Sequence, residues 1–125
     1  MSLPERVLKG IAEFNRREFF EAHETLEDIW AEENGLLRTF YQGVIQLAVA
    51  CCHVQRGNWE GAVHLFAKGF PKVREGAQAC PEIDSDALLA GAERCEAEVR
   101  ALGPERLAAF DPTGFPTIRL VSRSA

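Results

Sequence analysis

The sequence has little of what marks several common functional classes. None of its four cysteines forms a Cys-x-x-Cys pair, so a zinc ribbon or a thioredoxin-like motif is not expected. Lys and Arg total 14 against 19 Asp and Glu, a net charge of −5, which is unlike the basic surface of nucleic-acid binders. The acidic balance also disfavours an anionic membrane as partner. We expect structural thiols in a reducing cytoplasm.

Long apolar runs and nucleophile motifs are also missing. The longest uncharged run, Thr39–Val54, is interrupted by glutamines and is too short to span a membrane. The N-terminus lacks the apolar core of a signal peptide. The chain has no Gly-x-Ser-x-Gly and no Gly-rich phosphate loop. We expect no cofactor, and the sequence leaves open whether the protein is an enzyme.

What the sequence does contain is helical periodicity along nearly its whole length. Capping and stop signals divide it into five helices. The predicted helices are Leu3–Phe14 with a Ser2/Glu5 capping box, a second from the cap Asn15 to Glu33, Leu36–Arg56, Asn58–Arg74 with a bend at Gly69-Phe70-Pro71, and a fifth from Asp84 or Ser85 to Gly103-Pro104. A loop is expected at Gly76–Ile83. Residues 1–110 are predicted to form one helical domain, and 111–125 an extended tail packed by Phe115, Ile118 and Leu120.

Two stretches of the chain resemble each other at an offset of 40 residues, Asn15–Trp30 and Gln55–Phe70. Phe19 corresponds to Trp59, and each stretch follows the end of a helix. This pattern predicts two stacked helical hairpins, similar to tetratricopeptide repeats. The predicted fold is therefore all-α, a five-helix bundle of two antiparallel hairpins with a docked fifth helix.

A polar cluster is predicted between the second and third helices. In FFEAHETLEDIW, His23 and Glu27 are one turn apart and lean toward the apolar stripe. The third helix is apolar on most sides except for one polar stripe. Because a short turn joins the two helices, they should pack antiparallel, with Arg38 near Glu27 or Trp30, and Gln42 or Gln46 near His23. The candidate site residues are His23, Glu24, Glu27, Trp30, Arg38, Gln42, Gln46 and His53.

Three interpretations of this cluster are open. It is a structural network in which Glu24 or Glu27 accepts from Arg38, because unpaired buried polar groups are costly. It is a small-molecule or catalytic pocket in which a buried Glu or His23 exchanges protons and Arg38 holds an anion. Or it is a metal site, with His23 and Glu27 as the ligands.

The chain resembles a known family along Phe14–Phe70. The motifs are Phe-Glu-x-His-Glu-x-Leu-Glu-x-x-Trp, Arg-x-Phe-x-Gln-Gly-x-Ile-Gln and His-x-x-Arg-Gly-Asn, in that order. They are similar to the bacterial and archaeal family called domain of unknown function three hundred and nine. Arg17 stands where that family often has Gly. The resemblance implies a small cytoplasmic helical protein and no established activity.

Together these observations favour an uncharacterised interaction or scaffold module with a structural polar cluster. Its expected partner is another protein or a second copy of the chain. The alternative is a small-molecule or metal-binding protein, or a small enzyme, that uses the His-Glu-x-x-Glu cluster with Arg38. Nucleic acid and membrane are not expected as partners.

Overall fold

Five α-helices make up most of residues 3–121, the part of the chain that the computed structural model describes. They are α1 (Glu5–Asn15), α2 (Phe19–Ala31), α3 (Gly35–Gln55), α4 (Trp59–Gly76) and α5 (Ser85–Arg106). Single 3₁₀ turns lie at Ala77–Ala79, Leu107–Ala109 and Pro112–Gly114. The all-α fold class is confirmed for this range, and the tetratricopeptide-like arrangement stays a prediction. No helix in the same range is long and apolar enough to cross a membrane.

Helix α3 lies at the centre of the structure because apolar side chains surround most of it. It packs on α2 on one side and on α4 on the other, while α1 contacts α2 and α5 contacts α4. Glycines allow α3 and α4 to approach closely. A Cβ atom at Gly43 would lie 2.7 Å from the backbone nitrogen of Val73, and one at Gly76 would lie 2.6 Å from Phe40. Early residues of α3 thus meet late residues of α4, so these two helices run antiparallel.

The same turn joins α1 to α2 and α3 to α4. Arg17 has a φ of +65° and Gly57 a φ of +75°, and the helices that follow begin two residues later, at Phe19 and Trp59. A left-handed backbone costs a non-glycine residue roughly 1–2 kcal/mol. The side-chain amide of Gln55 donates to the Arg17 carbonyl at 2.9 Å and helps to hold this conformation. Arg17 therefore adopts the same left-handed conformation as Gly57.

The start of α2 corrects one capping prediction. Asn15 is the last residue of α1, and no side chain caps α2. The Asn15 amide instead donates to the carbonyl of Ile118 at 2.9 Å and accepts from its N–H at 2.7 Å. The capping prediction for Asn15 is wrong because this long-range pair of bonds uses both amide atoms. The Ser2 cap lies outside the described residues, and α1 follows Pro4 without a side-chain cap.

Two other capping predictions are confirmed. Asn58 accepts from the N–H of Gly61, and Asp84 accepts from the N–H of Ala87, each at 3.0 Å. Helix α4 continues past Pro71 and ends at Gly76, so it includes the first residue of the loop predicted at Gly76–Ile83. At the end of α5, the predicted stop appears as a break in helical backbone at Gly103, with φ 70° and ψ 175°.

The described part of the C-terminal tail, residues 111–121, folds back onto the helices. The ring of Phe115 lies 5.0 Å from that of Phe19, and Ile118 is 3% exposed, so both contribute to packing as predicted. Leu120 does not, since it is 46% exposed. Its backbone forms an isolated antiparallel bridge with Ile83 instead, which leaves the side chain facing outward.

All four cysteines are buried free thiols. The thiols of Cys51 and Cys95 contact each other across α3 and α5, and burial raises the pKa of Cys51 well above its ordinary value. A buried thiol with a raised pKa carries little thiolate and is a poor nucleophile. The cysteines thus pack as small apolar side chains.

Candidate functional site

An open groove of about 230 Å³ lies between α2 and α3. We call it the α2–α3 groove. Its lining residues are Glu27, Trp30, Gln42, Ile45, Gln46 and Val49. Helical geometry brings them together, because residues three, four and seven positions apart share one face. Four of the predicted site residues therefore border one surface.

Arg38 lies over the indole of Trp30. Its guanidinium carbon is 3.9 Å from the ring centroid, a cation–π stack. Antiparallel packing of α2 and α3 predicts Arg38 beside Trp30 or Glu27, and the observed contact is with Trp30. Arg38 forms no ion pair with any carboxylate of residues 3–121. The expected bond from Arg38 to Glu24 or Glu27 is thus not formed.

The remaining polar groups of the α2–α3 groove do not form a closed network. The side-chain oxygen of Gln46 accepts from the ammonium of Lys72, on α4, at 3.1 Å. The side chain of Glu27 is 54% exposed. Within the described chain, the buried indole N–H of Trp30 has no hydrogen-bond partner, and no side-chain hydrogen bond involves the Gln42 amide. Glu27, Arg38 and Gln42 therefore keep hydrogen-bonding capacity that the fold does not use.

His23 lies in the second turn of α2, outside the groove lining. Its Nδ1 atom donates to the carbonyl of Phe20 at 2.6 Å, and its Nε2 atom is 3.9 Å from the Glu27 carboxylate. Gln46 is bonded to Lys72 rather than placed against His23. His23 and Glu27 offer two metal donors. Within residues 3–121, no three His, Cys, Asp or Glu side chains gather as a metal-binding group.

His53 serves the turn before α4. Its Nδ1 atom accepts from the side-chain amide of Asn58 at 3.2 Å, and the oxygen of that amide caps α4. The backbone carbonyl of His53 also accepts from the Asn58 N–H at 2.8 Å. The His-x-x-Arg-Gly-Asn motif thus builds a helix start, with Gly57 in the left-handed region.

Glu24 is exposed and is not among the residues that line the α2–α3 groove.

Sequence reasoning missed two polar residues that the fold makes important. Lys72 comes to Gln46 from α4, and only the antiparallel register of α3 and α4 could have indicated this contact. Glu13 is 7% exposed, with one carboxylate oxygen lacking a partner among the described residues and Lys9 at 3.9 Å from the other. Nothing in the local sequence distinguishes Glu13 from the exposed glutamates.

Comparison with known proteins agrees with the sequence resemblance. Residues 7–65 match the family model "Domain of unknown function (DUF309)". The chain is 34% identical over 85 residues to the uncharacterized protein YpuF of Bacillus subtilis (strain 168), a match that covers 66% of this chain and 49% of YpuF. The chain thus spans about half the length of this curated relative. No solved structure matches the chain.

The matched segment contains most of α1, all of α2 and α3 and the start of α4, and with them the whole α2–α3 groove. Helix α5 and the C-terminal tail lie beyond it. Residues 7–65 are thus similar to the DUF309 family, whose description assigns no function.

Proposed function

We propose that the protein is a binding module whose α2–α3 groove accepts a segment of a partner protein. One observation carries the proposal, the stack of Arg38 on Trp30 beside an open groove whose polar groups keep unused hydrogen-bonding capacity. A purely structural cluster would have its donors and acceptors paired to each other. Here, Glu27, Arg38 and Gln42 are not bonded to one another.

The residue types at the groove suit protein recognition. Trp and Arg are enriched among the residues that dominate protein–protein binding energy. Stacking on the Trp30 ring restricts the Arg38 guanidinium, and its planar fork of N–H donors suits a carboxylate. Less side-chain entropy is then lost when a partner binds. The pair therefore provides a pre-oriented anchor.

The size of the α2–α3 groove favours a partner side chain over a free small molecule. Its volume of about 230 Å³ is below the roughly 300–1,000 Å³ of typical ligand pockets. Ile45 is buried and Val49 is half-buried, so they offer an apolar surface for one side chain. A short groove of this kind holds part of a longer segment and does not enclose a ligand.

Charge around the groove defines the partner further. Arg38 has no carboxylate partner within the described chain, and Lys72 brings a second cation to Gln46. Glu27 supplies an exposed acceptor at the other side. The partner segment should thus carry an acidic side chain for Arg38 next to an apolar side chain for the groove, and a backbone N–H for Glu27.

The alternative, a small-molecule or metal-binding protein or a small enzyme built on the His-Glu-x-x-Glu cluster, has less support. It requires His23, Glu24, Glu27 and Arg38 to converge. Glu24 is exposed, His23 does not line the groove, and Arg38 stacks on Trp30. The two close members, His23 and Glu27, are 3.9 Å apart.

The test is a peptide selection followed by mapping. A random peptide library displayed on phage is selected against the full chain, and enriched peptides are titrated into ¹⁵N-labelled protein. We expect acidic–apolar peptides that shift the amide signals of Gln42, Gln46 and Val49. Arg38→Met should lower the affinity for these peptides by about tenfold or more, corresponding to about 1.4 kcal/mol.

Arg56→Met is the matched control, because Arg56 also lies over an aromatic ring on the same pair of helices, with its guanidinium carbon 5.3 Å from the Phe20 centroid, but outside the groove. Peptides that bind both variants equally, or no enriched peptide, would refute the proposal. Sedimentation of the wild type tests whether the partner is a second copy of the chain. Self-association lost in Arg38→Met but kept in Arg56→Met would replace the foreign partner with a homodimer.

A further inference from the structure

A second and larger cavity lies between α5 and the C-terminal tail. Its volume is about 470 Å³, within the range of small-molecule sites. Helix α5 contributes Arg94 and Glu98, and the tail contributes Asp111, Thr113 and Arg119. We call it the α5–tail cavity. None of its residues belongs to the α2–α3 groove, so it is a separate candidate site.

Both walls of the α5–tail cavity are held in place. On the tail side, the Asn15 amide bonds both backbone atoms of Ile118. The carbonyl of Arg119 accepts from the N–H of Asp84 at 2.8 Å, one residue before α5. The Phe115 ring packs 4.8 Å from that of Phe110. The cavity thus keeps its shape without a ligand, which lowers the entropy cost of binding.

Gly91, which we call the cavity floor, lies close to the Arg94 guanidinium in the helical wall. A Cβ atom built on Gly91 would lie 3.8 Å from Nη2 of Arg94 and 3.5 Å from Cβ of Pro116. Glycine at this position therefore leaves the space between α5 and Pro116 open, and the Arg94 guanidinium borders that space. A larger residue at Gly91 would occupy it.

The two arginines of the cavity are not neutralised by protein carboxylates. Arg94 and Arg119 form no ion pair within residues 3–121, although Glu98 is one helical turn from Arg94. Neighbouring arginines differ, since Arg100 is paired with Glu96 at 3.4 Å, and Arg74 is paired with the α5 carboxylate Glu93 at 3.0 Å. Two guanidinium groups without a carboxylate partner in the described residues thus line the same cavity.

The carboxylates of the cavity restrict which anion fits. Glu98 and Asp111 balance the two arginines, so the four ionised side chains have no net charge. One oxygen of Asp111 accepts from the Thr113 N–H at 3.0 Å, and the carboxylate also interacts with the Thr113 side chain and with Arg17. A polyphosphate would be repelled by these carboxylates. A compound with one anionic and one cationic group would satisfy both pairs.

We infer that the α5–tail cavity binds a small zwitterion, an amino acid or a compound with the same two charges. Its carboxylate lies at Arg94 and Arg119, with the bidentate geometry that guanidinium favours. Its ammonium group lies at Glu98 or Asp111. Phe115 and Pro116 also line the cavity and offer apolar surface to the rest of the ligand. This site is independent of the proposed peptide groove.

The test uses the full chain and a panel of three compound types, the common amino acids, the same compounds without the amino group, and inorganic phosphate. Each is titrated at up to millimolar concentration while the amide signals of Thr113 and Gly114 are followed by NMR. At least one amino acid should bind, and its des-amino counterpart should bind about tenfold or more weakly. Phosphate should not compete.

Three variants locate the binding. Arg94→Met and Arg119→Met should each lower the affinity for the amino acid by about tenfold or more. Gly91→Leu should abolish binding by filling the cavity while the melting temperature is kept, because leucine is a better helix former than glycine. Arg100→Met is the control and should bind like the wild type, since Arg100 is already paired outside the cavity.

Four outcomes would overturn the inference. No amino acid binds; the des-amino compound binds equally well; phosphate binds more tightly than any amino acid; or Arg94→Met and Gly91→Leu bind like the wild type. Where Gly91→Leu keeps the melting temperature of the wild type, its loss of binding is not due to unfolding.

Discussion

The α2–α3 groove and the α5–tail cavity differ in how their walls are made. Both walls of the groove are regular helices within residues 27–49, inside the segment that matches the DUF309 family. The cavity has one helical wall and one irregular wall at 111–119, outside that segment. A surface between neighbouring helices follows from local periodicity. A surface between a helix and a tail depends on contacts that are distant in sequence.

Gly43→Ala should disturb the α2–α3 groove and leave the α5–tail cavity unchanged. The new Cβ atom would lie 2.7 Å from the backbone of Val73, so α3 must move away from α4, at a cost of about 3 kcal/mol. This shift displaces Gln42 and Gln46 in the groove wall. Denaturant unfolding measures the stability, and peptide affinity should fall while zwitterion binding is kept. A stability loss below about 1 kcal/mol would contradict the tight α3–α4 contact.

Asn15→Ala should do the reverse. It removes both bonds to the Ile118 backbone and should lower the free energy of unfolding by about 2 kcal/mol, or about 1 kcal/mol per bond. The tail then loosens, and zwitterion binding weakens while peptide binding at the groove is kept. The matched control is Asn34→Ala, which precedes α3 without a side-chain capping bond. Equal effects of the two variants would show that the tail is not held through Asn15.

Trp59, which links α4 to α5, and Trp30, which lines the groove, differ by one indole hydrogen bond. The indole of Trp59 donates to the carbonyl of Val99 at 2.9 Å and links α4 to α5. The buried indole N–H of Trp30 has no partner within residues 3–121. Trp59→Phe should therefore cost about 1 kcal/mol more than Trp30→Phe in denaturant unfolding. If Trp30→Phe costs as much, the Trp30 indole is already satisfied and the groove is less open than we propose.

The smallest stability change should be a gain, from Gly91→Ala in the cavity floor. The added methyl group would have ordinary contacts, 3.5 Å from Pro116, and alanine is favoured over glycine inside a helix by about 0.8–1.0 kcal/mol. Gly103→Ala provides the contrast, because a φ of 70° is unfavourable for alanine and should destabilise the chain. Thermal melting measures both. A loss of stability in Gly91→Ala would mean that the cavity floor is already closed.

Sequence alone predicts which faces of α2 and α3 lie together, because helical periodicity is local information. Helical periodicity assigned α2 and α3, and their short connection placed Arg38 beside Trp30. It could not predict that Arg38 would stack on Trp30 rather than pair with Glu27, since the rotamer depends on the whole surroundings. His53 shared the polar stripe of α3, but its contact with Asn58 follows from the turn after the helix.

The cavity was not predicted, for a physical reason that Asn15 illustrates. Asn15 and Glu18 have capping-box spacing, and local reasoning assigned Asn15 to the start of α2. The fold uses its amide for Ile118, 103 residues away. No helical or strand periodicity marks such a contact. Without it, the sequence predicts an extended tail packed by Phe115, Ile118 and Leu120, and no sequence signal indicates that Arg94 and Arg119 line one cavity.

Lowering the pH is the mildest perturbation and should affect the α5–tail cavity without affecting the α2–α3 groove. Hydrogen bonding from Thr113 lowers the pKa of Asp111 below its ordinary value of 3.8. Because the folded-state pKa is depressed, the stabilisation from Asp111 is fully present above pH 3.8 and is lost as the pH falls through the folded-state pKa. The Thr113 amide signal should thus titrate with a midpoint below 3.8, and amino-acid binding should weaken over the same range as the cavity loses an anion.

The side-chain amide signals of Gln42 and Gln46 report the groove in the same NMR titration and should not follow that midpoint. Asp111→Asn should abolish the Thr113 transition, because a neutral amide does not titrate. A Thr113 midpoint at or above 3.8 would mean that the Asp111–Thr113 bond does not persist in solution. The irregular wall would then be too loosely held for Asp111 to face a bound ammonium group, and only the helical wall, with Arg94 and Glu98, would remain to recognise a ligand.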